Sequence, residues 1–391
     1  MLLLEREAYI SFLQQLELNL LEQYCGEKYA RINRECRIAK TVVRRICTRF
    51  GEIIMKITQI KNAAGEYFSP LLRLLGIGKY QRIPKDIENR IRDKACKMSY
   101  RDAAEDVHNS FDFGISRQVV WKINQSNNPV PVASSASHKI LLADGTKIKS
   151  NKKGHLEPRA IISTDSEKKE KCLLALDALK SWQEMAESID FTGFRVLVAD
   201  GEQGLMEALV KPGMLFQFCH LHAIRDLSFY LWQDELEKSA RGKFMKPLKE
   251  ILYTVQNSTK KYFVEKDKAR LLWRIRWADK GISKLIAKLE ERECEQSAEF
   301  LKRNKKYLFT AAMLAITDNL QVPWTTNLAE RLMKEIGKRT KKRSMRWSPN
   351  GLMSILSAVL KRYFLPPEKR SYKNIYGGDT IGGSSPNVNH I

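Results

Sequence analysis

Hydrophobic and polar positions divide the chain into stretches of different period. Residues 3–24, LLEREAYISFLQQLELNLLEQY, carry apolar side chains at helical spacing and predict an amphipathic helix. After Gly51, the stretch TRFGEIIMKITQIK alternates apolar and polar, which predicts a short strand or hairpin. Residues 84–126 predict three helices with tight joints. Pro84 stands near the first start, Ser99 and Ser116 are N-cap candidates for the second and third, and Gly114 lies in the last joint. NQSNNPVPVASSASH (124–138) is a linker by composition.

Beyond the linker the pattern changes. KILLADGTKIKS (139–150), RAIISTDS (159–166) and KCLLALDAL (171–179) are apolar runs with short polar joints, as in an antiparallel meander. SWQEMAESID predicts a helix capped by Ser181. RVLVADG is a fourth strand, EQGLMEALV a short helix, and MLFQFCHLHAIRDL a fifth strand running into a helix. The order is that of an α/β domain with one mixed sheet and helices on its faces. From about 228 to 320 strand signals nearly vanish, and Lys, Glu, Leu and Ala at helical period predict an all-helical segment. NLAERLMKEIGKR returns to a helix, with Thr325 to Asn327 as cap candidates. The Gly/Ser/Asn-rich end of the chain is expected to be disordered.

Charge narrows the function classes. The 391 residues carry a formal net charge of +23. That excess implies a polyanionic partner, nucleic acid before an anionic membrane surface. No apolar run reaches the roughly 18 residues of a membrane helix, and MLLLEREAY is too soon charged for a signal peptide. Seven scattered cysteines suit free thiols in a reducing cytoplasm. On this background the second and third helices of 84–126 read as a helix-turn-helix, the last one offering Arg117, Gln118, Trp121 and Lys122 to a major groove. Arg44 and Arg45 lie in the basic stretch 27–62. Lys338, Arg339, Lys341, Lys342, Arg343 and Arg346 fall in KRTKKRSMR and are expected to contact phosphates.

Three acids stand out by position. Asp144 lies in the first strand of the α/β region, Asp200 ends the fourth, and Glu330 sits in the first turns of the returning helix. Strands one and four can be neighbours in a mixed sheet, and a helix over them can bring a third carboxylate. Such a cluster repels itself unless a cation sits within it. Hard oxygen donors suit Mg²⁺ or Mn²⁺, and two such ions clamp an in-line phosphoryl displacement. The plainer alternatives are turn acids before Gly145 and Gly201, and a surface Glu330 paired with Lys334. Glu335 is the rival third acid. Cys219 and His222 lack two further ligands at zinc spacing and are expected to support the acids. Trp273 and Trp277, spaced i, i+4, are core residues or base-stacking aromatics, and Trp324 near Glu330 is a third stacking candidate.

DGEQGL followed by FCHLHAIRDL, and TTNLAERLMKEIGKRTKKRSMRWSPNG later on, together resemble prokaryotic insertion-sequence DDE transposases related to the Mutator and hAT groups. The stretches FGEI, LLRLLGIGKYQRI, MSYRDAAEDV and GISRQVVWKI resemble the DNA-binding region of some insertion-sequence families. The resemblance implies a ribonuclease-H-like catalytic domain with a mixed five-stranded sheet, interrupted by an all-α insertion and preceded by a mainly helical helix-turn-helix region. It implies a catalytic triad of Asp144, Asp200 and Glu330 holding two Mg²⁺ or Mn²⁺ ions. The substrates are then double-stranded transposon ends and target DNA, cut and joined by at least a dimer in a prokaryotic cytoplasm, at the nucleoid. The expected divisions are 1–70, a DNA-binding or dimerising region, and 71–128, the helix-turn-helix domain. After the linker 129–138 come 139–227 and 322–366, the two parts of the catalytic domain, around the insertion 228–321; 367–391 is the tail. A domesticated DNA-binding protein and a structure-selective nuclease are the rival functions.

Overall fold

The computed structural model describes residues 2–26, 36–125, 132, 138–152, 154–168, 170–202, 204–341 and 345–364. The linker is therefore outside the described residues apart from Val132 and His138, as are Lys342, Arg343 and the tail. The chain divides into two compact units, one ending at Val130 and resuming at Ser354, the other running from Pro131 to Met353.

In the first unit, α1 (Leu2–Cys25) is followed by a three-stranded antiparallel sheet of β1 (Cys36–Thr48), β2 (Gly51–Asn62) and β3 (Tyr67–Phe68). The turn between β1 and β2 is fixed by Thr48, whose hydroxyl donates to the Gly51 carbonyl (2.8 Å) and accepts from the Phe50 amide (3.1 Å). Gly51 takes a φ of +104°, which only glycine adopts readily. β2 buries Ile53, Met55 and Ile57 at period two against Leu13 of α1. The predicted short hairpin is thus a long one: β1 extends through 13 residues of the basic stretch. Its outer positions are nearly all exposed, so no apolar alternation announces it.

α2 (Pro70–Leu74), α3 (Lys85–Lys97), α4 (Tyr100–Phe111) and α5 (Arg117–Gln125) complete the described part of the unit before the linker. Ser99 caps α4, its hydroxyl accepting from the Asp102 amide (3.1 Å). Ile87, Ile91, Ala103, Val107, Phe111, Val120 and Ile123 close a small core among α3, α4 and α5. Arg117, Gln118, Trp121 and Lys122 stay on the exposed face of α5.

The second unit is built on a mixed five-stranded sheet. Its strands are β4 (Ile140–Gly145), β7 (Arg159–Asp165), β8 (Glu170–Asp177), β9 (Val196–Ala199) and β10 (Leu215–Phe218), in the order β10-β9-β4-β7-β8. β4, β7 and β8 form the antiparallel meander, whereas β9 and β10 run parallel to β4. A small ribbon, β5 (Ile148–Lys149) and β6 (His155–Leu156), lies between β4 and β7 in the chain. α6 (Trp182–Ala186) opens on a capping box of Ser181 and Glu184, and α7 (Leu205–Leu209) joins β9 to β10. Every side chain of β9 is fully buried, as expected of an interior parallel strand.

From α8 (His220–Gln233) through α9 (Lys238–Glu265), α10 (Lys268–Glu290), α11 (Glu295–Asn304) and α12 (Thr310–Thr317) the chain is helical. One hydrophobic core joins these helices to the sheet, running from Leu141, Leu197 and Phe218 to Leu248, Leu252, Leu271, Ile282 and Phe300. α13 (Asn327–Thr340) then packs on β4. α14 (Pro349–Phe364) ends the described chain. No described helix is long and apolar enough to cross a membrane.

Candidate active site

β4 and β9 lie side by side and parallel, with Leu142 opposite Val198. Two residues further along each strand come Asp144 and Asp200, so the shared direction brings both acids to the same end of the sheet. Asp144 is 9 % exposed, and its carboxylate accepts from the Gly145 amide (2.8 Å). Burial pushes its pKa up to about 6; His222 and the Gly145 amide lower it, and the charges of Asp200 and Glu330 raise it further. Asp144 thus feels the charges of Asp200, at the end of β9, and of Glu330, on α13. Asp200 accepts from the Glu202 amide at 3.2 Å.

Glu330 projects from the first turn of α13. Its carboxylate accepts a hydrogen bond from the Thr326 hydroxyl (3.1 Å) and lies 3.8 Å from Nδ1 of His222. Its rival Glu335 is paired with Lys338 (2.5 Å) on the helix surface. Cys219 occupies the N-cap position of α8 and His222 the third helical position, where one turn brings the two side chains together. Both are buried. The Cys219 sulfur accepts from the Thr326 amide at 3.4 Å. Burial alone drives the Cys219 thiol up, but His222 and Thr326 outweigh it and hold the thiol below its usual range. Burial likewise opposes the charged imidazole, yet Cys219 leaves His222 raised.

His220 points elsewhere. It is 1 % exposed, donates from Nε2 to the Leu308 carbonyl (2.7 Å), accepts from Gln256 at Nδ1 (2.7 Å) and packs against the Trp324 ring. Burial lowers its pKa to about 4, so it is a neutral structural residue. Trp324 is thereby held against His220 and only half-buried.

Gly201 directly follows Asp200 where the chain leaves β9. It has no left-handed φ; its role is space, because a Cβ there would stand 2.6 Å from Cε2 of Phe218. Phe218 is fully buried against Phe216 and Phe300 and has little room to move. Gly201→Ala is expected to destabilise the chain by about 1–3 kcal/mol, read as a lower urea midpoint. An unchanged midpoint would show that the ring yields freely.

Arg339, expected among the phosphate contacts, is 2 % exposed and stacks its guanidinium over Trp347 at 5.0 Å. Trp347 in turn donates to the Thr340 carbonyl (3.1 Å). Arg339 thus packs the end of α13, its guanidinium held over the indole face and donating to the Met345 sulfur. Lys341, which donates to Thr146 (2.5 Å), and Arg346 remain at the surface. Arg44 donates to the Gln81 carbonyl (2.7 Å), and Arg45 pairs with Glu52 (3.4 Å). Trp273 and Trp277 are not core residues: they are 56 % and 39 % exposed, with Arg274 over both rings.

Two further acids near Asp200 were not anticipated. Glu202 accepts from the Trp182 indole (3.0 Å), and Asp226 lies on α8 beside Arg225 (3.2 Å); burial raises both, and both feel Asp200. Asp226 stands four residues after His222, so helical period was the signal available for it.

The second unit is therefore an α/β protein whose parallel strand ends and one late helix gather carboxylates over a buried Cys-His pair. The model of the transposase IS66 family matches residues 132–353. The chain belongs to that family, the transposases of an insertion-sequence group. Among curated proteins none matches the chain.

Proposed function

We propose that the chain is a ribonuclease-H-like DDE transposase, related to the Mutator and hAT groups, that cuts the ends of its element and joins them to target DNA. The observation that carries this is the placement of Asp144 and Asp200 at one end of the sheet, with Glu330 in the first turn of the helix that packs on β4. Asp144 is buried and Asp200 and Glu330 are half-buried, and acids gathered in this way repel one another unless a cation sits among them.

The donor set fits Mg²⁺ or Mn²⁺. All three groups are hard carboxylates, and the excess negative charge lodged with Asp144 is what a divalent cation would neutralise. When bound, two such ions supply an activated nucleophile and charge stabilisation for in-line displacement at phosphorus. The chain's own contribution is placement. Asp144 and Asp200 are held by a rigid sheet, and Glu330 is oriented by the Thr326 hydroxyl. Hydrolysis of the phosphodiester at the element's end leaves a 3′-hydroxyl, and attack of that hydroxyl on a target phosphodiester joins the two DNAs.

In this reading α4 and α5 form the helix-turn-helix, with Arg117, Gln118 and Lys122 on the exposed face of α5 that would enter a major groove. The insertion is 228–321, from the latter part of α8 through α12, and Trp273 and Trp277 offer exposed faces for an unstacked base. Synapsis of two ends calls for at least a dimer.

A joining assay tests the proposal. A duplex of the element's terminal repeat carrying a pre-cleaved 3′-hydroxyl is incubated with plasmid target in Mg²⁺. Plasmid joined to the repeat is the expected product. Nicking without joining would indicate a nuclease, and binding with neither would indicate a DNA-binding protein without chemistry; either result overturns the proposal.

A further inference from the structure

Cys219, His222 and Glu330 make a donor set of a kind different from the three acids. One sulfur, one ring nitrogen and one carboxylate oxygen lie within 4.8 Å of one another. The sequence showed the first two without further ligands at zinc spacing; the fold supplies the third from α13. A second observation points the same way. His222 is 5 % exposed, yet its buried Nδ1 makes no hydrogen bond of normal geometry and faces Glu330 at 3.8 Å. A buried ring nitrogen left in that condition is costly unless something occupies the space before it.

We infer that Cys219, His222 and Glu330 bind a zinc ion, and that zinc there withdraws Glu330 from the acidic centre and holds the enzyme inactive. Thiolate, imidazole and a single carboxylate are the ligands that a borderline-soft d¹⁰ cation prefers, whereas Mg²⁺ avoids sulfur. The bond lengths of a tetrahedral zinc site put nitrogen and oxygen donors roughly 3.3 Å apart and a sulfur roughly 3.5 Å from either. The Nδ1–Glu330 separation of 3.8 Å must close by about half an ångström, and the sulfur, within 4.8 Å of the other two donors, by little more than about one ångström. Water fills the fourth position. Glu330 is the ion's route in, since its side chain is 36 % exposed whereas those of Cys219 and His222 are buried. Glu330 cannot serve both centres, so the two cations compete: a hard ion assembles the acids, and a softer one pulls the third acid toward Cys219.

The inhibition rests on the transposase reading; zinc binding does not, and the experiment separates them. Metal-stripped full-length chain is titrated with Co²⁺, which reports thiolate ligation by its sulfur-to-cobalt charge-transfer absorption, and then with Zn²⁺, which displaces it. The parent and Asp200→Ala are expected to show the band and to bind one ion with this signature, Cys219→Ser to lose the band, and Glu330→Gln to bind more weakly. Glu330→Gln alters a partly exposed side chain, so it remains informative even where Cys219→Ser fails to fold. Zn²⁺ is expected to suppress Mg²⁺-dependent cleavage by the parent, with recovery on adding a zinc chelator. Absence of the band in the folded parent, or equal affinity in Glu330→Gln, overturns the site. A normal band with zinc-insensitive cleavage overturns the competition for Glu330. No cleavage under any condition, with the band present, counts against the transposase reading and leaves the zinc site standing.

Discussion

Replacing Asp200 with Ala is expected to abolish Mg²⁺-dependent cleavage and joining while leaving binding to the element's ends largely intact. Asp200 follows the fully buried strand β9 and shares its end of the sheet with Asp144. Among the described residues its side chain accepts one hydrogen bond, from the Glu202 amide, so its removal leaves little of the fold unsupported. What disappears is a ligand of the proposed ion pair. Charge stabilisation by such ions is worth several kcal/mol, so the rate should fall by at least about a thousandfold. In the proposed reading, end binding is carried by Arg117, Gln118 and Lys122 on the exposed face of α5 and not by Asp200. Gel-shift and cleavage assays on the same preparation separate the two effects. Cleavage at the parent rate would remove Asp200 from the centre.

The second large effect is on stability. Asp144→Asn is expected to inactivate the enzyme and, in the absence of metal, to make it more stable at alkaline pH. Burial, reinforced by Asp200 and Glu330, pushes the Asp144 carboxyl from 3.8 to about 6. The folded chain therefore holds this proton more tightly than the unfolded chain does. Stability from this source is greatest at low pH and falls as the pH rises from about 4 to about 6. Above that window the ionised group costs the folded state about 3 kcal/mol. Asn keeps the shape and carries no charge. In EDTA at pH 8 the variant should be more stable than the parent by about 2–3 kcal/mol, and the gain should shrink toward zero at pH 4. Urea unfolding at both pH values measures it. Mg²⁺ should close the gap from the other side, by about 2.7 kcal/mol at a hundredfold excess over its dissociation constant. Equal stability of the two proteins at pH 8 in EDTA would mean that Asp144 meets water rather than a crowded acidic centre.

Both effects arise from a feature half visible in the sequence. VLVA before Asp200 reads as a buried strand because four apolar residues in a row leave no polar face. ILLA before Asp144 reads the same way. Ser99 and Ser181 announce helix starts, since an N-cap hydroxyl serves a local donor and needs nothing distant. β1 was not legible as a long strand, because its outer face is solvated and carries arginines where a half-buried strand would alternate. Arg339 was misleading for a related reason: a run of basic residues looks uniformly solvated until one of them meets Trp347. The purpose of Gly201 was equally hidden, since the ring it must clear belongs to β10.

The sequence by itself determined the element order, the position of the acids at strand ends, the helical segment and the basic character of the chain. These follow from local period, capping and charge, which act over a few residues. Only the tertiary structure decided that β9 lies parallel beside β4, so that Asp144 and Asp200 share one end of the sheet. It also decided that Thr326 holds Glu330 beside His222 rather than releasing it to pair with a lysine. Strand order and helix docking depend on which apolar faces bury one another across long stretches of chain, and local periodicity is the same whichever partner is chosen.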